Sequence, residues 1–538
     1  MGNMKHSISV LVAFSVCILL VTFSLSSHGQ EVLLQLGDVE SESWDAFSSS
    51  ANGSQVFALG FNRETQIEGE VFSSRERGVV LGRIEDQQIF SWGHLSSRGR
   101  TIVHDIVQKD SNIYVVGNAF SFLTYRGDTI IFPNGENNSF ILHLNFSGAL
   151  TRHIHLQGKG AILGQAARCS APSGGALVTL YQFTDTVIVD GESWTAEATT
   201  ASLVLHWSSD LSYIGGRLID GTGIIEGRQL ETFEDKVFVA GRFKGSIASA
   251  TDSIFTRTAD HDGFLYVYQL GGSEQFISHL RGQYEDAVHA LAVDENAIYL
   301  GGQFIGNLRL GNREILTGLS VAGFIGALDR SGEVIWLDAL RGSSNFTAVR
   351  NIALNGENVH FIAWSGALTT YRGDTLLEPT EVGQVHSILA RCNASGTLKD
   401  WKLWAGQPVI YALSFHFQGE ALRVTAEMMG EFAQIESRGF FDALFIDPMV
   451  TNNTPFRPSS LPYDYALYPQ PADQSLFLSP SPPLNSKLLV YDMSGRLLQS
   501  SIWSSEGISV AQFPAGQYVL LVLPPKGSPP IRRVWIKN

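Results

Sequence analysis

Short apolar runs rich in Val, Ile, Leu and Phe alternate along most of the chain with stretches of Gly, Asn, Asp and Ser, and no helical periodicity is sustained. Runs of this kind, bounded by residues that tolerate the positive φ of tight turns, read as β-strands joined by hairpins. One run recurs at a spacing of about 60 residues and often ends in a small residue. Its copies are Val56–Gly60, Ile113–Gly117, Ala176–Phe183, Val237–Gly241, Ile298–Gly302, Val359–Ala363 and Leu422–Ala426. A second run follows each: Gly78–Leu81, Ser139–Gly148, Ser202–His206, Gly263–Val267, Gly323–Gly332, His386–Gly396 and Phe440–Phe445. Asn145, Asp329 and Asn393 stand before Ser-Gly pairs, which is hairpin chemistry. Seven copies of a strand-rich unit predict a seven-bladed β-propeller over residues 30–447, because radial closure leaves only short, protected edges.

The ends of this region carry a further signal. In the fifth copy the second run turns into Glu333-Val-Ile-Trp-Leu-Asp338, and the seventh copy has no such continuation. A near-copy, Glu31-Val-Leu-Leu-Gln-Leu36, stands at the other end of the chain. The N-terminal strand is therefore expected to complete the last blade, antiparallel to Phe440–Phe445, covering an edge otherwise open to pairing. Gly60, Gly117, Gly241 and Gly302 are expected at equivalent positions of equivalent strands.

Residues 448–462 form a polar, Pro-rich linker, and 463–538 read as a small C-terminal β-sandwich domain. The landmarks of that domain are Tyr468-Pro469-Gln470-Pro471, the strand and turn holding Tyr491, Asp492, Gly495 and Arg496, the turn and strand holding Gly516 and Tyr518, and a basic last strand ending at Lys537. In this order at the C-terminus they resemble the type IX secretion (Por) sorting domain of Bacteroidota-type bacteria, with Gln470 where the family commonly has Asn. The resemblance implies the type IX secretion machinery as a partner, passage through the outer membrane, removal of the tail, and release or attachment at the cell surface. Residues 31–447 resemble the bacterial β-propeller repeat family of secreted proteins, which implies a fold and no chemistry.

Composition agrees with a folded, exported chain. Of 538 residues, 44% are apolar and only 17% charged, whereas disorder calls for more charge and fewer aromatics. The formal charge of −15, without any Lys/Arg stripe, repels phosphate backbones and argues against nucleic-acid binding. Lys5 and His6 precede an apolar run from Ile8 to Leu25, and Ser27 and Gly29 supply small residues before Gln30. Residues 1–29 thus read as a cleavable signal peptide, and no later run is long enough to span a bilayer. Cys17 lies in that leader, and Cys169 and Cys392 are expected as buried free thiols.

Motifs that would carry chemistry are few. There is no Gly-x-Ser-x-Gly elbow, His-Glu-x-x-His pair or Walker loop, and Gly221-Thr-Gly223 lacks the third glycine of a dinucleotide loop. Asp260-His-Asp262-Gly263 opens like a calcium loop without the ligand series that should follow, and reads as a hairpin turn. Ala327–Trp336 resembles a quinoprotein propeller repeat but is one residue short. Arg126-Gly127-Asp128 and Arg372-Gly373-Asp374 occupy the same place in their repeats, so a shared hairpin turn accounts for both without an adhesion receptor. Thr129, Thr186, Ser253 and Thr375 each follow Asp and precede an aliphatic residue, a pattern that resembles the O-glycosylation acceptor of the same phylum. No catalytic, cofactor or metal residue is assigned. The leading expectation is a secreted or cell-surface, non-enzymatic binding protein whose propeller presents loops to a protein or glycan ligand. The alternative is an extracellular hydrolase or lyase with a composite active site on one face.

Overall fold

Every regular element among the described residues is a β-strand, as the alternating pattern requires. The computed structural model describes residues 30–36, 42–49, 55–67, 70–85, 88–132, 137–169, 177–248, 253–257, 259–342, 346–366, 369–377, 386–404, 408–418, 421–432, 435–446, 466–468, 475–479, 486–492, 497–502, 508–514, 516–523 and 531–537. The expected signal peptide (1–29) and linker (448–462) lie outside them. The chain divides into two compact units, Met1–Pro455 and Phe456–Asn538.

In the first unit one motif recurs, a meander of four antiparallel strands. Glu42–Ser49 pairs with Gln55–Ile67, that strand with Glu70–Glu85, and that with Gln88–Ser96. The next set is Ile102–Lys109, Asn112–Phe120, Asn137–Asn145 and Leu150–His155. It is followed by Ile162–Cys169, Leu177–Phe183, Ala201–Trp207 and Tyr213–Ile219. Then come Gly221–Phe233, Lys236–Ile247, Asp262–Gln269 and Glu274–Gly282. Ala287–Val293, Ile298–Leu310, Arg313–Leu328 and Val334–Gly342 form another set, and Thr347–Asn355, Asn358–Ser365, His386–Asn393 and Leu398–Trp404 the next.

The last set opens with Pro408–Gln418, Ala421–Phe432 and Ile435–Ile446. Its fourth strand comes from the other end of the chain. Gln30–Leu36 lies antiparallel to Ile435–Ile446, with Glu31 opposite Leu444 and Leu36 opposite Phe440, the pairing expected from its likeness to Glu333–Asp338. The first strands also neighbour one another in chain order, and Pro408–Gln418 neighbours Glu42–Ser49, so the series returns to its start.

Burial follows the position of a strand in its set. The two middle strands are covered on both faces and therefore read as continuous apolar runs; Ala201–Trp207 is buried at every residue. The fourth strand meets solvent, as Leu150–His155 does. Gly60, Gly117, Gly241 and Gly302 stand opposite Val79, Phe140, Phe264 and Phe324 of their third strands, the equivalence expected. A Cβ at Gly241 or Gly302 would collide with the carbonyl oxygen of Glu226 or Ala287 on the first strand, so only glycine fits.

Successive sets are stitched by hairpin arms, which the sequence pattern does not reveal. Phe122–Tyr125 and Asp128–Ile131 form an arm that pairs with the fourth strand of the preceding set, at Leu95 and Ser96. The arm of Thr369–Tyr371 and Asp374–Leu377 pairs likewise with Leu340–Gly342. At the arm tips Arg126 and Gly127 have φ of 51° and 93°, and Arg372 and Gly373 have 49° and 95°. Both Arg-Gly-Asp triplets are thus tight hairpin turns with positive φ at both central residues. Trp336 explains its own resemblance to a cofactor repeat. Its indole packs beneath Gly396 of the following set and its Nε1 donates to the Ala394 carbonyl at 2.8 Å.

In the second unit Leu497–Ile502, Lys487–Asp492, Gly516–Leu523 and Ile531–Lys537 form one antiparallel sheet. Ala466–Tyr468 pairs with Ser475–Ser479, which pairs with Ile508–Ser509. Leu488, Val490, Ile508, Val510, Phe513, Tyr518 and Leu520 are buried there among the described residues.

Candidate functional site

The first strand of every set is broken at the same place. The ladder skips one residue, a β-bulge, at Asp45, His104, Gln165, Arg228, His289, Arg350 and Leu413 in turn. A bulge leaves its extra residue out of the ladder and re-aims the side chain, and such features gather at functional sites. Because the first strands are mutual neighbours, these residues form one continuous line across the unit. His104, Gln165, Arg228, His289 and Arg350 are all half-buried polar side chains.

Charge is concentrated on part of that line. Glu226 Oε2 accepts from Arg228 Nη2 and from Arg242 Nε, each at 2.7 Å, and Arg242 also pairs with Glu285. Arg350 lies over the Trp364 ring, 4.6 Å from its centroid, which holds the planar guanidinium. Between Arg228 and Arg350 sits His289. Burial pushes its imidazole down to about 3, and Arg350, Arg228 and Arg242 push the same way, against a hydrogen bond with Gln303. His289 is therefore neutral at physiological pH. Further along, Arg168 ties its own first strand to both neighbouring ones by pairing with Asp105 and Glu231, each at 2.9 Å.

A second polar group lies deeper. Asp262 is buried, with Oδ2 2.6 Å from His279 Nε2. Asp286 is fully buried, and burial followed by the nearby Asp262 carboxylate pushes it up to about 9. This corrects the reading of Asp260–Gly263 as a hairpin turn. Asp262 instead opens a strand, paired with Phe243 on one side, and its buried carboxylate is matched by His279 of the following strand. Neither carboxyl offers a surface to a substrate. Cys169 and Cys392 are free thiols, the first half-buried rather than buried, both pushed up to about 12 by burial. Among the described residues no group of three or more His, Cys, Asp or Glu side chains is arranged to hold a metal.

The residues singled out in the sequence fall elsewhere. Thr129 and Thr375 are exposed on hairpin arms, immediately after the Arg-Gly-Asp turns, and Ser253 is exposed. Thr186 is half-buried and its hydroxyl donates to Asp185 Oδ1 at 2.9 Å. In the second unit Tyr468 lies opposite Phe477, Tyr491 opposite Val519, Asp492 opposite Tyr518, and Gly516 opposite Lys537. The buried Tyr518 donates its hydroxyl to the Pro514 carbonyl at 2.6 Å. Pro469, Pro471, Gly495 and Arg496 lie outside the described residues. The bulge line escaped sequence reading. Its one visible trace is polar residues about 60 residues apart, ahead of the glycine-ended runs.

No family model matches the chain, and no curated protein matches it. Solved structures that resemble it include PorZ of Porphyromonas gingivalis, described as an essential bacterial surface component of the type-IX secretion system. The identity is 12% over 92% of this chain and 81% of that one, with a TM-score of 0.18. Drosophila Semaphorin 2a is 6% identical over 95% and 97% of the two chains, with a TM-score of 0.28. At such scores neither likeness bears on what this chain does. Among the described residues no helix is long and apolar enough to cross a membrane.

Proposed function

We propose that the first unit is a seven-bladed β-propeller, closed by Gln30–Leu36, that serves as a non-enzymatic binding scaffold outside the cell. Supporting the fold is the cyclic order of first strands, in which the strand from one chain end completes the set at the other. The observation that carries the function is the bulge line. It brings half-buried polar side chains from successive repeats into one continuous row, where a ligand would touch several blades at once. Binding is favoured over catalysis because the carboxyl pair suited to acid–base work, Asp262 and Asp286, is sealed from solvent.

On the same reading residues 463–538 form a β-sandwich that acts as the type IX sorting domain, residues 1–29 are removed on export, and the mature protein is released or held at the cell surface. Thr129, Thr186, Ser253 and Thr375 are candidate glycosylation sites, of which the exposed Thr129 and Thr375 are the best placed. The ligand is a protein or a glycan. The test is an array of glycans and proteins probed with the purified mature protein, followed by a panel of glycoside and peptide substrates. Saturable binding without turnover supports the proposal, and turnover of any substrate refutes the non-enzymatic reading. Deleting 463–538 should leave the protein in the periplasm, and normal secretion of that variant would remove the sorting assignment.

A further inference from the structure

The bulge line is not uniform. His104 and Gln165 are followed by Arg228, His289 and Arg350, carried by three successive first strands that are neighbours in the order given. Bulges pin the backbone at each of these positions, so the side chains leave the strands from fixed points. The charges acting most strongly on the central residue, His289, are all cationic: Arg350, Arg228 and Arg242. This gathering stands in a chain whose formal charge is −15, so it runs against the field of the whole protein. Arg228 and Arg350 are each half-buried, while His289 Nε2 is buried and finds no hydrogen-bond partner among the described residues. A neutral imidazole flanked by two forked cations is a spacer between donors.

We infer that Arg228 and Arg350, set on either side of His289, form a subsite for one compact oxyanion group, a carboxylate, sulfate or phosphate, of the ligand that the propeller binds. The inference rests on the binding reading above and names the chemistry of its ligand. Guanidinium forks match such oxygens bidentately and are more weakly hydrated than ammonium groups, so they lose less on desolvation. Each has a partner that limits its freedom: Glu226 holds Arg228 at 2.7 Å, and the Trp364 face supports Arg350. The local field supplies the discrimination. A neutral sugar brings no charge for the two cations to attract, whereas an anion placed between them is attracted by both and offsets their mutual repulsion.

The experiment uses the mature full-length protein with isotope-labelled histidine. The His289 ring resonances, assigned by loss in His289→Gln, are followed by NMR during titration with inorganic sulfate, glucuronate, N-acetylglutamate and glucose. The expected result is a saturable shift of His289 with the oxyanions and none with glucose. Arg228→Gln and Arg350→Gln should each weaken that response by about tenfold or more, the loss of one charge-assisted hydrogen bond. Arg152→Gln, at the exposed pair with Asp210, should leave it unchanged. The ranking of glucuronate, N-acetylglutamate and sulfate identifies whether a sugar acid, an acidic residue or an ester is the natural source. No shift with any oxyanion in the wild-type protein, or a response in the two arginine variants as strong as in wild type, overturns the inference. An array ligand that binds wild type and an Arg228→Gln, Arg350→Gln double variant equally also overturns it while leaving the binding function standing. A His289 response with no array ligand supports the subsite and instead counts against the wider reading.

Discussion

The set that ends in Val334–Gly342 and the set completed by Gln30–Leu36 have the same strand order and are closed by different means. In the first, Asp329 Oδ1 accepts from the Ser331 and Glu333 amides at 2.8 and 2.9 Å, and the fourth strand follows the third across a tight turn. In the second, the fourth strand arrives from the opposite end of the chain. Closing the intervening loop costs about 4 kcal/mol more than closing a tight turn, on logarithmic loop-entropy scaling. The ladder gained is similar in kind, so the long-range set is the weaker closure. Opening of the unit should start there.

The largest expected effect follows from this contrast. Removing residues 30–36 takes away a full ladder worth about 1 kcal/mol net per hydrogen bond, comparable with the ~5–15 kcal/mol stability of a typical domain. Calorimetry should show a large fall in Tm, whereas a chain ending at residue 455 should keep the Tm of the first unit. Equal melting of parent and N-terminal truncation would mean that the two kinds of closure are not distinct.

Asp286 should give the next largest change. Its folded pKa of about 9 lies above the ordinary 3.8, so the folded state holds a proton that the unfolded state releases. The contribution to stability is intact below pH ~4 and falls by about 1.4 kcal/mol per unit as pH rises toward 9. Asp286→Asn, isosteric and uncharged, should flatten that slope and stabilise the protein at pH 8. A denaturation series over pH in which wild type and variant run parallel would contradict the assignment.

Gly241→Ala places a methyl group against the Glu226 carbonyl. Overpacking of this kind costs roughly 1–3 kcal/mol, measurable by denaturant midpoint. Gly127→Ala, at an arm tip with nothing within 4 Å of the added carbon, should cost only the strain of positive φ, about 1–2 kcal/mol. The smallest effect is expected for Arg372→Ala, which breaks a part-exposed pair with Asp338 worth about 0.2–1 kcal/mol.

The same contrast shows what a sequence displays. Middle strands such as Ala201–Trp207 are buried on both faces, so apolar runs declare them, and turn chemistry at Asn145, Asp329 and Asn393 marks where they reverse. The closing strand was legible because Glu31–Leu36 imitates a strand whose partner is local. His289 and Arg350 were not legible as a pair. A bulge interrupts the alternation that makes a strand visible, and the proximity of two first strands is set by the packing of whole sets. Asp262 looks like a turn residue for a related reason, since its partner His279 lies on the neighbouring strand and not in the local sequence. The arm pairings of Thr369–Tyr371 with Leu340–Gly342 also leave no local mark.

Hydrogen exchange tests the closure most directly. In the intact protein the amides of Gln30–Leu36 should be protected together with Ile435–Ile446, and loss of 30–36 should deprotect Ile435–Ile446 while Val334–Gly342 stays slow. Exchange of Gln30–Leu36 at the rate of a free chain, with Ile435–Ile446 unaffected by its removal, would contradict the account.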